Sequence, residues 1–574
     1  MKFLPRVFTV ALGVWLAVLL GILVLAFAAG EEDRPLKPGT VLVMDVSLPM
    51  PDLVPALSPA DLLQGASSGV PLHQVIAALE KAGKDKNICG LFMTGLSNHG
   101  WANLQALRRA LISFKESGKP VHGSFPYLGE SDYYLASLCD SISVDPLGVL
   151  QIDGFSLGSV YMAEALEKFG LQIQVTRVGK YKSAVESFLY SEMTPENEEQ
   201  LRGILGSFQD EFFEVSSSRE GCGEALAEIM ATRGMVGTED ALAAGLIDKV
   251  QYWDQILDSL AEMSGEEEDG TFRQISMEEY AQPQSPSATN ASIAVVFAQG
   301  VIVDGESSEG IGGDSLAYQL RQLRYTEEIK AVVLRVNSPG GSASASEVIL
   351  REMELLKEDG KLVIVSMGNV AASGGYWIAC KADAIVAERT TITGSIGVFG
   401  ILPNFAEAAS RLGLHEEVVK TGPFADLESM WRPKSDLELQ VIQSFVDGIY
   451  DGFLERVSDG RGMERDAVHE IAQGRVWSGE AALDRGLVDQ LGGLQDAIAL
   501  AKEKLGDADA SVMYDFPELD PLDEILAQIL EELPAPLASL KALPLDEVQL
   551  WLAPFQSQKG WQCWARLPFL INLR

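Results

Sequence analysis

Histidine and cysteine are both scarce, with five of each in 574 residues. Cys89, Cys139, Cys222, Cys380 and Cys563 are scattered and odd in number, and none stands in C-x-x-C or C-x-x-H spacing. Neither a disulfide framework nor a zinc site is indicated, and the cysteines read as small buried hydrophobes. No H-E-x-x-H occurs, so no metal and no other cofactor is implied. Positive charge is short as well: 44 basic residues stand against 82 acidic ones, a formal net charge of -38. That balance argues against a nucleic-acid partner, which needs a basic face, and disfavours adsorption on anionic lipid. What remains is a globular composition with room for two or more domains.

One long apolar run is present. Residues 7–30 carry no charge, follow Lys2 and Arg6, and precede Glu31, Glu32 and Asp33. The run is long enough to cross a hydrocarbon core of about 30 Å as a helix, and the flanking charges place the bulk of the chain outside the cytoplasm. A cleaved signal peptide is the competing reading, supported by Ala26-Phe27-Ala28. The run exceeds the usual apolar region of about 7–15 residues, so an uncleaved anchor over 1–30 is expected.

Beyond it, apolar runs alternate with helical stretches over 40–262 and again over 293–505, the pattern of α/β architecture. The polar, proline-marked stretch 263–292 reads as a linker. The two regions also resemble each other. Tyr133-Tyr134-Leu135-Ala136 aligns with Tyr376-Trp377-Ile378-Ala379, Phe169-Gly170-Leu171 with Leu412-Gly413-Leu414, and Gly179 with Gly422, all at an offset of 243. A constant offset over some fifty residues reads as an internal duplication.

The differences between the halves are where chemistry is concentrated. In the second half, an apolar strand over 361–367 leads to Asn369-Val370-Ala371-Ala372-Ser373-Gly374-Gly375-Tyr376. A serine at such a strand-to-helix turn sits among small neighbours, with free N–H groups and the positive end of a helix dipole close by. It is either a nucleophile or a simple helix cap, and the local sequence leaves both open. Opposite Ser373 the first half has Glu130. The Asn337-Ser338-Pro339-Gly340-Gly341 turn suits an oxyanion hole, because paired glycines let N–H groups approach a ligand oxygen. A plain tight turn is the alternative. Its counterpart, Gly95-Leu96-Ser97-Asn98-His99, lacks the Pro-Gly-Gly. Conversely, Lys182 faces Ala425, so the lysine is confined to the first half.

Serine needs a base. His415 and His469 lie in no catalytic-looking motif, which leaves an amine. Lysine, ordinarily near pKa 10.4, must be desolvated to accept a proton near neutrality. Lys182 is followed by small and apolar residues. Lys180 competes but sits in a more turn-like, solvated place. Thr393-Gly394-Ser395-Ile396-Gly397 forms a third small-residue turn, whose Ser395 either orients the lysine or satisfies its own turn.

Taken together, Asn-Ser-Pro-Gly-Gly at 337–341, Ala-Ser-Gly-Gly-Tyr at 372–376, Thr-Gly-Ser-Ile-Gly at 393–397 and Gly-x-Tyr-Lys-Ser-Ala at 179–184 resemble the signal peptide peptidase A family in its long, duplicated form. The resemblance implies two tandem domains of the Clp protease/crotonase superfold, built from repeated ββα units after one N-terminal transmembrane helix. It implies a Ser/Lys dyad endopeptidase with Ser373 as nucleophile and Lys182 as general base. Gly340 and Gly341 would be the oxyanion donors and Ser395 the partner of the lysine. The implied substrates are cleaved signal peptides and other apolar peptides, met from the periplasmic side of a bacterial inner membrane by a homotetramer. Two other readings remain: a crotonase-type thioester enzyme, and an inactive scaffold binding membrane proteins. Residues 506–574 lie outside the duplicated pattern. Their Trp551, Trp561 and Trp564 suit a membrane interface or packing against the body or a neighbouring subunit, and packing is the plainer expectation.

Overall fold

The computed structural model describes residues 36–53, 69–217, 219, 221–265, 271–281, 291–307, 310–515 and 563–566. The expected anchor lies outside the described residues, as do Trp551 and Trp561. Among the described residues no helix is long and apolar enough to cross a membrane.

Each half is a mostly parallel sheet, and the two share one strand order. In the first, the strands run Met235–Gly237, Ser141–Gln151, Val121–Leu128, Ile88–Thr94, Thr40–Asp45 and Gln274–Ser276, with Lys249–Val250 beside Ser141–Gln151. In the second, Val476–Ser478, Ile392–Gly394, Leu362–Ala372, Ala331–Ser338, Ile293–Gln299 and Val512–Asp515 take the matching places. Ala384–Ala387 and Gln490–Leu491 complete it, the former against Leu362–Ala372. The duplication read from the offset is therefore visible in the topology.

The central strands of the second half are near-continuous apolar runs because helices cover both faces. Val332, Leu334, Val336, Val363, Val365 and Met367 join one core with Trp377 and Phe453. Val333, Ile364 and Val295 join another with Ala497 and Ile498 of helix Leu494–Leu505. Each such side chain contributes about 1.5–3 kcal/mol by leaving water. Helix starts follow the expected chemistry. Ser342 caps Ala343–Glu358 by accepting from the Ala345 N–H, and Ser435 with Glu438 forms a capping box on Asp436–Arg461.

Two boundaries differ from the sequence reading. Inside the stretch taken as a linker, Gln274–Ser276 pairs in parallel with Thr40–Asp45, and helix Met277–Tyr280 follows. Phe272, Ile275, Met277 and Tyr280 are buried there, an apolar pattern overshadowed by the flanking polar residues. At the other end, Val512–Asp515 extends the second sheet beyond residue 505.

A third, smaller sheet joins the halves. Gln172–Arg177 of the first pairs antiparallel with Phe399–Asn404 of the second over six residues. Ion pairs between the halves add to this junction: the exposed Arg109 side chain reaches buried Glu388, and buried Arg335 Nε lies 3.0 Å from Asp52 Oδ1.

Candidate active site

The third sheet carries the first half's lysine arm into the second half. Just beyond strand Gln172–Arg177, Val178 N–H donates to Val398 O at 3.0 Å and Tyr181 N–H to Gln473 O at 3.0 Å. The chain turns at Gly179, φ +100°, where a Cβ would lie 2.3 Å from the carbonyl of Gln473. Lys182 then points inward and is fully buried. Its Nζ lies 2.7 Å from Ser373 Oγ and 3.0 Å from both the carbonyl and the Oγ of Ser395. No carboxylate is among these partners. Burial alone pushes the lysine pKa well below its ordinary value.

Ser373 closes strand Leu362–Ala372 and opens helix Gly374–Ala379. Its φ of 58° and ψ of -115° are costly for a residue with a Cβ, of order 1–3 kcal/mol. Its side chain makes no capping hydrogen bond to the helix and turns to Lys182 instead, which sets the capping role aside. Among the described residues three non-glycines have positive φ: Ser373, Ser395 and Gln473. Ser373 and Ser395 touch the lysine amine, and the Gln473 carbonyl accepts from the neighbouring Tyr181 N–H, so the strain is gathered around the lysine arm.

The glycines pack the nucleophile closely. A Cβ on Gly374 would stand 3.1 Å from Gly341 N, and one on Gly341 would stand 1.9 Å from Ile302 O. The two predicted donors are not equivalent. Gly340 N–H donates to Ser338 Oγ at 3.2 Å, so its proton is already engaged. Gly341 lies beside Gly374, whose helix leaves its first N–H groups without intrahelical partners.

Several supporting residues escaped the sequence reading. Gln200 Nε2 donates to Tyr181 O and Ser183 Oγ, and its Oε1 accepts from Val476 N–H, tying the lysine arm to the second sheet. Asn197 accepts from Ser183 Oγ at 2.8 Å. Gly474 lies against Lys182, where a Cβ would come within 2.5 Å of the lysine Cβ. The Gln473-Gly474 pair, a polar residue before glycine between two helical patterns, was the available signal. Lys180 is exposed and lies over the Tyr181 ring. His469 Nδ1 is 3.0 Å from Tyr450 OH, and His415 is exposed, so neither histidine is placed to serve Ser373.

Such a lysine, its pKa lowered by burial and its amine hydrogen-bonded to a strained serine at a helix start, has the arrangement to deprotonate that serine for attack on a carbonyl. Known proteins of one family are similar to this chain over most of its length. The sequence model of peptidase family S49 matches residues 113–266 and again 355–507, and that of Clp protease matches 287–393. "Protease 4" of Salmonella typhi is 38% identical over 445 residues, covering 75% of this chain and 72% of that protein. "Protease 4" of Haemophilus influenzae is 37% identical over 464 residues, covering 78% and 75%. "Serine protease SPPA, chloroplastic" of Arabidopsis thaliana is 33% identical over 449 residues, covering 76% and 66%.

Proposed function

The chain belongs to peptidase family S49 and is a serine protease, and from that premise we propose that Ser373 is its nucleophile and Lys182 its general base. The observation that carries this reading is a fully buried lysine amine 2.7 Å from the serine hydroxyl. As a neutral amine, Lys182 donates its two protons to the carbonyl and hydroxyl of Ser395 and keeps its lone pair for the proton of Ser373. The Oγ attacks the scissile carbonyl as that proton moves to Nζ. The oxyanion is held by the N–H of Gly341 and by that of Gly374, the residue after the nucleophile. The lysine then gives its proton to the leaving amine, and a water deprotonated by the same amine releases the acyl group. Because the base must be neutral, kcat/KM rises with pH through the lowered lysine value and reaches its plateau well below pH 10.

The substrates are cleaved signal peptides and other apolar peptides, degraded at the periplasmic face of an inner membrane, with residues 1–30 as anchor. Membership of a peptidase family sets aside the thioester-enzyme and scaffold readings. A second copy of the chain is the expected partner. The offset of 243 maps Gln172–Arg177 onto 415–420 and Phe399–Asn404 onto 156–161, and neither of those segments is a strand within the chain. Both carry exposed apolar residues, among them Val419 and Val160. The junction inside one chain can thus repeat head to tail between copies, closing a ring such as the tetramer that the family resemblance implies.

Ser373→Ala and Lys182→Ala, assayed on an apolar reporter peptide, test the dyad. Each is expected to lose on the order of a thousandfold or more in kcat. Full activity in either variant overturns it.

A further inference from the structure

The third sheet contains a strand from far along the chain. Cys563–Arg566 lies between Gly340–Ser342 and Phe399–Asn404 and is antiparallel to both. Gly341 is opposite Ala565 and Ser342 opposite Trp564, while on the other side Phe399 is opposite Trp564 and Gly400 opposite Cys563. Without this strand the sheet divides in two, because no other described strand pairs with those inner edges.

The two edges are the walls of the dyad. Gly341 N borders Gly374, and Lys182 Nζ is 6.0 Å from the centre of the Phe399 ring. Neighbouring strands lie about 4.8 Å apart, so edges bridged by one strand leave a slot for a single extended chain. A protease that takes its substrate by adding it as a strand needs these same backbone edges. The family match ends at residue 507, so this strand comes from an extension that the S49 pattern does not include.

We infer that Cys563–Arg566 is the resting occupant of the substrate's strand position, and that a peptide substrate must displace it before reaching Ser373. The inference rests on the dyad reading above. The tail is tethered, so it competes at a high effective concentration. The cost appears as weakened apparent substrate binding, while the chemical step is unchanged once the slot is free.

The test uses the full chain with Ala565→Pro, which removes one ladder N–H from the tail strand and cannot be accommodated centrally. KM is expected to fall about tenfold at constant kcat, the factor for a slot open about a tenth of the time. A synthetic peptide of residues 562–568 should then inhibit the variant competitively. An unchanged or raised KM, or a peptide without effect, overturns the inference. In the unaltered enzyme, amide exchange at 563–566 should be slow at rest and fast once a peptidyl serine inhibitor fills the site. Exchange that the inhibitor does not alter overturns the inference even where Ala565→Pro misfolds. Turnover retained in Ser373→Ala/Ala565→Pro would instead mean that the dyad reading had failed.

Discussion

At Ala372-Ser373-Gly374 the second half forces its chain through a positive φ, freeing a hydroxyl and a helix N-terminus for chemistry. At the equivalent Gly129-Glu130-Ser131 the first half does neither. Gly129 has φ -91°, the helix begins at Glu130, and the Glu130 carboxylate accepts from the Gly154 N–H at 2.7 Å. Asp132, opposite Gly375, pins the turn where the second half has only a glycine: its carboxylate accepts from the N–H of both Ser97 and Gly129. The two halves share one strand order, so the frame alone does not make a site. The first half ties its own turn down with fixed carboxylates and lends its lysine arm to the other half.

Moving the serine tests that division most severely. The double variant Ser373→Ala/Glu130→Ser is expected to stay at the background of Ser373→Ala, on the order of a thousandfold or more below the unaltered protein. Ala425, opposite Lys182 in the repeat, is exposed and supplies no amine, and Asp132 still pins the turn through the Ser97 and Gly129 N–H groups. Turnover or labelling by a serine-directed probe at position 130 would show that the halves are interchangeable. A smaller effect is expected at the donors. Gly341→Ala forces a methyl against Ile302 O and should cost about a hundredfold in kcat, whereas His99→Ala at the counterpart should leave kinetics unchanged. Equal effects in the two halves would break the assignment.

The smallest expected effect is on stability. Lys182 binds its proton less tightly in the folded state than in the unfolded chain. The unfolded state therefore holds the extra proton between the two values, and native stability rises with pH up to about 10.4. Lys182→Met removes this penalty. It should raise stability at neutral pH, with the advantage shrinking as pH approaches 10. Lys180→Met, at an exposed position, should give no pH-dependent gain in the same thermal unfolding series.

Much of the frame could be read from residue order. The alternation of apolar and helical runs gave the α/β class, and the repeat offset anticipated two sheets of one topology. Other features were hidden because their signal is not local. The strand Gln274–Ser276 is three residues long and lies between polar flanks, and only its pairing with Thr40–Asp45 makes it structure. Gln200 looks like any polar helix residue until its partners Tyr181, Ser183 and Val476 are brought around it. The tail offered tryptophans that suited either membrane or body, and pairing of Cys563–Arg566 with two strands places that segment against the body.

The sequence by itself determined which residues exist in only one half: Ser373 and the paired glycines in the second, Lys182 in the first. It did so because a duplication supplies its own control, residue against residue. Only the tertiary structure decided that these separated groups meet, that Gly340 has spent its N–H on Ser338, and that a distant strand lies across the site. Each of these depends on a distance between residues far apart in the chain. Such distances are set by strand pairing and burial, which local pattern does not encode.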